Sequence, residues 1–550
     1  MVFQKKVYLC CPAHLNRKFG FPVMVLLPFV ILLYLMVHSG YVKNRMVQVR
    51  NAVMHTEAIA EALKTVEGSA VISVPAEANA EALKTVEGSA VISVPAEANA
   101  EKIPKQNFTF TSYSQAVSSQ ADGESKVVFL AFADMGGFPM AMNFYLTSIQ
   151  KYDIRNVLFV SSSEEFCSRF RAIRVACFVY MNESAHDKTS VYLSKDFINK
   201  MNIRTYMILE ALQLGYHVIH SDVDVVFFRD PTERILDLCH FKDTKKVCDV
   251  AALWDSGAHN AGFLFIRNSS ASISMYKKME HTAKTTNIDD QKALNGAMRS
   301  LKKELRITSL PGAEFQSGLQ FFDNSHRQFA GDHPCTNCIV MHNNWIVSME
   351  AKVYRFKEMH MWLYDQDEYY NSTRRRYLAY QNPTYFGNDS TTLAAERRSL
   401  ITALAIGRIL NRTVILPKFV CAKKAQQCTI LQHYLLRIFD QSFGSSYREH
   451  TFLLNELVPL TVRNSSRLTY ALRNTTEAIP SSSEKIIRYN GSQEIKQEMI
   501  EEWFGNVTSY VLEFHSLYNV PRIVLKNATA DEEFKGKCDK AFVKAKLHQF

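Results

Sequence analysis

A chain of 550 residues with 47% hydrophobic and 21% charged content can bury a large core and divide into two domains, which excludes a disordered or fibrous protein. The formal charge of +10 is concentrated at the start: the first fifty residues hold seven Lys or Arg and no acid, which leaves only about +3 for the rest. A nucleic-acid-binding surface is excluded by that distribution.

Residues 1–18 read as a cytosolic tail, with Cys10 and Cys11 open to acylation or present as plain thiols. Residues 19–42 contain no Asp, Glu, Lys or Arg, and as a helix they span roughly 36 Å, enough to cross a bilayer with some tilt. A signal peptide has a shorter apolar core, and Pro28 is tolerated in a membrane helix. Basic residues flank the run on both sides, so charge sets orientation only weakly. Eleven N-x-S/T sequons, running from Asn107 to Asn527, all follow the span and put the bulk of the chain in the lumen. Cys167 with Cys177, Cys239 with Cys248, Cys335 with Cys338 and Cys421 with Cys428 are expected as local disulfides of an oxidising compartment, leaving Cys538 over.

Residues 43–123 read as a stem. They contain an identical twenty-residue repeat, 61–80 and 81–100, rich in Ala, Glu and Val and without an aromatic residue to anchor a core. Ordered sequence resumes near Lys126. Val127–Ala133 is predicted as a buried strand, Met140–Lys151 as a helix and Val157–Val160 as a second strand. Ile203, Tyr206, Met207, Ala211 and Leu214 fall at helical spacing, with Gly215 where that helix stops. Such alternation predicts an α/β fold with a mostly parallel sheet. No G-x-G-x-x-G or Walker loop is present.

The run from His220 to Pro231 reads as a buried strand carrying Asp222 and Asp224. Side chains two apart on an extended chain share a face, so both carboxylates can address one divalent cation, and unpaired acids in an apolar strand belong at its end, facing a ligand. Three further clusters could complete a site. Asn260-x-Gly262 reads as a small turn feeding a strand, Asp289-Asp290-Gln291 with Asn295 as the start of a helix, and Met341-His342-Asn343-Asn344-Trp345 follows an apolar pair.

Taken in this order, Asp222-x-Asp224, Asn260-x-Gly262, Asp290-Gln291 with Asn295, and His342 to Trp345 with Lys352 and Arg355 resemble the nucleotide-diphospho-sugar transferases of glycosyltransferase family 77, over about Lys126 to Trp362. The resemblance implies a GT-A catalytic domain at 124–365, Mn²⁺-dependent retaining transfer from a UDP-sugar (xylose, galactose or an arabinose) to a glycan or glycoprotein acceptor, and a type II Golgi membrane protein. It further implies a cation held by Asp222, Asp224 and His342, donor contacts from Asp222, Asn260, Gly262 and Lys352, and catalytic candidates Gln291, Asp290 and Asp255. Same-face return through an oxocarbenium-like state and double displacement on a carboxylate such as Asp255 or Asp290 both stay open. A catalytically silent Golgi partner of another transferase is the alternative.

Residues 376–550 are predicted as a second, smaller α/β domain. Leu393–Leu410 is a helix followed by a strand, and Glu396–Pro417 is similar to the opening of O-fucosyltransferase-like domains, although no Gly-Asn-Gln loop precedes that helix. Tyr447-Arg448-Glu449-His450 is its one concentrated polar cluster. A structural or acceptor-positioning role is expected for this domain.

Overall fold

The computed structural model describes residues 108–180, 195–243, 245–286, 288–382, 389–420, 427–465, 467, 469–475, 485–490 and 494–544. The expected tail, membrane span and repeat lie outside the described residues, as do Cys421 and the sequons at Asn107, Asn182 and Asn388. Among the described residues no helix is long and apolar enough to cross a membrane. All of them belong to one compact unit, Ser89–Phe550.

Helix α1 (Tyr113–Gln120) opens on Ser112, whose hydroxyl accepts from the Gln115 amide. It falls inside the segment read as stem, yet Ala116 and Val117 are fully buried and the Tyr113 hydroxyl donates to the Met207 carbonyl at 2.9 Å. Packing onto the first sheet therefore begins ahead of residue 124.

Ten strands follow: β1 (Val127–Phe132), β2 (Val157–Ser161), β3 (Cys177–Val179), β4 (His217–Ser221), β5 (Val225–Phe227), β6 (Val250–Asp255), β7 (Ala258–Ile266), β8 (Ile307–Leu310), β9 (Phe315–Ser317) and β10 (Val340–His342). Seven form one sheet in the order β3-β2-β1-β4-β7-β6-β8, parallel except where β7 runs against β4 and β6. Along β1, Val127, Phe129 and Ala131 enter one core cluster while Val128 and Leu130 enter the other, the period-two alternation of a strand covered on both faces. The expected helix after β1 is present over Phe138–Gln150, α-helical to Phe144 and π-helical beyond it. Helix α2 (Lys195–Gln213) ends before Gly215, which takes φ +99°, a left-handed value that glycine adopts without strain.

Two sequence expectations need correction. The acid-bearing run is not one strand: β4 stops at Ser221, the Asp222 amide donates to the Gly262 carbonyl at 2.7 Å, and β5 belongs to a separate three-stranded sheet, β5-β10-β9. Asp222 and Asp224 therefore occupy the turn by which the chain crosses between sheets. Asn260 and Gly262 are not in a turn but inside β7, where pairing with β4 and β6 overrides the local Asn-x-Gly signal.

Helices α3 (Asp290–Ser300) and α4 (Met349–Glu358) complete this half. The second half is built on β11 (Tyr377–Tyr380), α5 (Asp389–Ile409), β12 (Thr413–Ile415), α6 (Leu436–Phe443), β13 (Tyr447–Arg448), β14 (Thr469–Asn474), β15 (Lys485–Tyr489) and β16 (Val511–Phe514). Its six strands form a parallel sheet in the order β13-β12-β11-β16-β14-β15.

The two halves share a core. Met140, Val226, Phe321 and Met341 pack in one cluster with Ile415, Phe452, Val458 and Val511. At the same seam the Glu358 carboxylate accepts from the His450 and Thr451 amides at 3.2 and 3.1 Å, and the Tyr369 hydroxyl donates to Glu449 at 2.5 Å. The Tyr447–His450 cluster is thus a buried brace between sheets. Disulfides join Cys167 to Cys177, Cys239 to Cys248 and Cys335 to Cys338; Cys428 is also bridged, and Cys538 is free and buried.

Candidate active site

The turn between β4 and β5 meets the last residue of β10. One ligand atom each from Asp222, Asp224 and His342 lies within 4.8 Å of the other two. The His342 Nδ1 hydrogen is directed to Asn260 Oδ1 at 3.1 Å, which fixes the tautomer and turns Nε2 toward Asp224 at 3.3 Å and Asp222 at 3.7 Å. Asn260 Oδ1 also accepts from the Gly262 amide at 2.7 Å. Gly262 is required sterically: a Cβ there would lie 2.3 Å from Asp222 Oδ2 and 2.5 Å from His342 Cε1.

Behind this layer sits Asp255 at the end of β6. Its Oδ2 accepts from Asn260 and Asn344 at 3.1 and 2.6 Å, and its Oδ1 from the Trp345 indole at 2.5 Å. With both oxygens engaged, Asp255 holds Asn260, Asn344 and the tryptophan in place. That indole bond also holds Trp345 at φ +58°, a costly backbone state for an aromatic residue.

Asp290 and Gln291 open α3, whose N-cap is Asp289 accepting from the Lys292 amide at 2.8 Å. Gln291 Oε1 accepts from the Ala261 amide at 3.4 Å, and Asn295 is doubly bonded to the backbone of His259, donating at 2.8 Å and accepting at 2.9 Å. These contacts lock the start of α3 to β7. Asp290 itself is paired with Arg204, a residue the sequence did not single out. The buried Arg204 guanidinium forks between Asp222 and Asp290 and contacts His220 Nε2 at 3.1 Å. Its sequence signal was faint: Arg204 shares the buried stripe of α2 with Ile208 and Ala211, a cation where an apolar residue belongs.

Lys352 on α4 reaches Asp224 Oδ2 at 2.7 Å, and its carbonyl accepts from Asn343 at 3.0 Å. Burial pushes both acids upward, but the cations outweigh it: Arg204 foremost holds Asp222 far below the usual carboxylate range, and Lys352 with His342 brings Asp224 down to about 2. Burial pushes His342 down, yet Asp224 and then Asp222 raise it overall. Two ionised carboxylates drawing positive charge toward His342 set the electrostatic demand that a bound cation would meet. Two carboxylate oxygens and an imidazole nitrogen suit a borderline divalent metal.

These groups line a cavity of about 1850 Å³ at the carboxyl ends of β1, β2 and β4, the edge of an α/β sheet where ligands bind. All of the expected site residues except Asn343 and Arg355 border it: Asp222, Asp224, Asp255, Asn260, Gly262, Asp290, Gln291, Asn295, His342, Asn344, Trp345 and Lys352. Arg355 lies behind it, with its guanidinium 4.2 Å from the Phe322 ring and bonded to Asn343 Oδ1 at 3.3 Å.

An acidic turn with an imidazole, flanked by Lys352 and Arg204 at the open edge of an α/β sheet, defines a candidate metal–diphosphate site. Residues 153–356 match the family model described as nucleotide-diphospho-sugar transferase. The chain is 26% identical over 239 residues to UDP-D-xylose:L-fucose alpha-1,3-D-xylosyltransferase 3 of Arabidopsis thaliana, covering 39% of this chain and 60% of that one. It is 25% identical over 189 residues to beta-arabinofuranosyltransferase RAY1 of Arabidopsis thaliana, covering 31% and 35%. It is 26% identical over 191 residues to UDP-galactose:fucoside alpha-3-galactosyltransferase of Dictyostelium discoideum, covering 30% and 28%. The chain thus spans 60% or less of the length of these curated relatives. Among solved structures, the galactosyltransferase LgtC with donor and acceptor sugar analogs matches at 15% identity and a TM-score of 0.26, covering 39% of this chain and 86% of that one. The family match stops at residue 356, and the likeness of Glu396–Pro417 to O-fucosyltransferase-like domains expected from the sequence is not shown.

Proposed function

We propose that the protein is a metal-dependent glycosyltransferase of GT-A type that moves a sugar from a UDP-sugar to a fucose-bearing glycan with retention, forming an alpha linkage. The observation that carries this reading is the Asp222–Asp224–His342 cluster under Gly262. The donors named for the relatives differ, xylose in two and galactose in a third, whereas fucose recurs as the acceptor. The acceptor is therefore the firmer carry-over, and the donor sugar stays open between pentose and hexose.

Asp222, Asp224 and His342 would hold the divalent cation, Mn²⁺ by the mixed nitrogen and oxygen donor set. When bound, that cation neutralises the charge developing on the diphosphate as the glycosidic bond breaks. Lys352 adds a cation beside Asp224 for a phosphate oxygen, and Asn260 and Gly262 admit the donor close to β7. Asp290, steadied by Arg204, accepts from the donor's hydroxyls, with Gln291 beside it. The occupied oxygens of Asp255 and the Arg204 pairing of Asp290 support same-face return over attack by either carboxylate.

Placement as a single-pass type II Golgi membrane protein with a lumenal catalytic part belongs to the same proposal. Its support is the uncharged run at 19–42, the sequons and the disulfides within the domain. The test of activity is UDP release by the full chain from a panel of UDP-sugars with methyl α-L-fucoside, in Mn²⁺ or EDTA. Turnover of one donor that needs metal and vanishes in Asp224→Ala is expected. Release unaffected by EDTA or by that substitution refutes the assignment.

A further inference from the structure

The cavity is larger than one donor requires. Small-molecule sites commonly occupy about 300–1,000 Å³, whereas this one is about 1850 Å³ and runs without interruption from the acidic turn to α6 in the second half of the chain. Its far wall is fixed in place by the shared core at Phe452 and Val511 and by the Glu358 and Glu449 contacts, so α6 faces the site as permanently as α4 does.

The chemistry of that wall is specific. Glu350, Asp367 and Asp440 stand against Lys357, Arg375, Arg437 and Arg448, a mixture of both signs with a difference of one charge that favours a ligand rich in hydroxyls over a polyanion or polycation. Trp345 and Tyr364 add aromatic faces for the C–H surface of a sugar ring. Asp440 is already committed to the Tyr447 hydroxyl at 2.5 Å. Arg437 is exposed, borders the cavity and makes no ion pair or side-chain hydrogen bond among the described residues. Its donors have no other assignment.

We infer that the parallel-sheet domain after residue 376 forms an outer acceptor subsite, in which Arg437 on α6 binds the sugars lying behind the accepting residue of a neutral oligosaccharide. The inference rests on the transferase reading above and deepens it. The enzyme then selects the glycan that carries the fucose, and Arg437 is a specificity residue remote from the metal cluster.

The experiment compares methyl α-L-fucoside with a fucose-terminated trisaccharide as acceptors for the full chain and for Arg437→Ala. A charged hydrogen bond supports about a tenfold difference. The trisaccharide is expected to show a KM about tenfold lower than the monosaccharide, and Arg437→Ala to remove that advantage. Monosaccharide KM and acceptor-free UDP release stay unchanged, which also shows that the variant is folded. Equal KM values for the two acceptors, or an advantage that survives the substitution, overturn the inference. If no donor is hydrolysed by the parent chain, the transferase reading fails separately. Saturation-transfer NMR of the trisaccharide then decides the subsite: weaker contact in Arg437→Ala upholds it and equal contact overturns it.

Discussion

Gly262→Ala is the sharpest perturbation of the candidate site. The added methyl would sit 2.3 Å from Asp222 Oδ2, against ordinary contact beginning near 3.4 Å, so the carboxylate must retreat by about 1 Å while His342, 2.5 Å away, turns with it. A misplacement of that size costs about 10²-fold in rate, or about 2.7 kcal/mol of transition-state stabilisation. Both obstructing groups are side-chain ends beside an open cavity, so the sheet itself need not move. The assay is kcat/KM for UDP release across a Mn²⁺ titration, with thermal unfolding as the control for folding. A melting temperature near the parent's, with activity down about a hundredfold and a higher metal requirement, is expected. Activity within threefold of the parent at unchanged metal requirement refutes the claim that Gly262 makes room for two metal ligands.

Arg204→Ala leaves Asp290 and Asp222 without their shared cation, and losing one partner of a buried charge pair costs about 3–5 kcal/mol; a denaturation midpoint equal to the parent's would contradict the pairing. Burial first and Glu449 second push the Glu358 carboxyl up to about 8 from an ordinary 4.5. The folded chain therefore keeps a proton that the unfolded chain releases, and the stability so gained is full below about 4.5 and lost as pH rises through about 8. Glu358→Gln should flatten part of the decline in melting temperature across that window, and an unchanged slope would exclude Glu358 as its source. At the sequons, the partly buried Asn268 amide donates to the Leu212 carbonyl, whereas Asn371 is exposed. Glycopeptide mapping of the chain expressed through the secretory pathway should find Asn371 occupied and Asn268 bare; a glycan on Asn268 would mean that this bond opens before the domain closes.

The readable parts of the sequence were those with a local cause. Gly215 ends α2 because only a left-handed residue fits there, and the apolar run of β1 announces a strand buried on both faces. Local signals failed where a distant partner decides the outcome. The break between β4 and β5 is invisible in His220–Phe228 because β10, more than a hundred residues away, pairs with only the second piece. Asn260-x-Gly262 resembles a turn until both neighbours of β7 are known. Arg204 was missed because its two acids lie 18 and 86 residues further along the chain. The order of β13, β12, β11 and β16 was beyond reach for the same reason: these strands are two to four residues long and carry no individual pattern.

A chain whose two sheets close over a common set of apolar side chains has no clean place to be cut. Ending it at residue 365 would bare Phe321, Met341 and Phe356 to water and strip the Glu358 carboxylate of both amide donors. The half that carries the acidic turn therefore cannot be transplanted or traded as an independent module. A lineage that alters what this cavity binds must do so one side chain at a time, along a wall it can reshape but not discard.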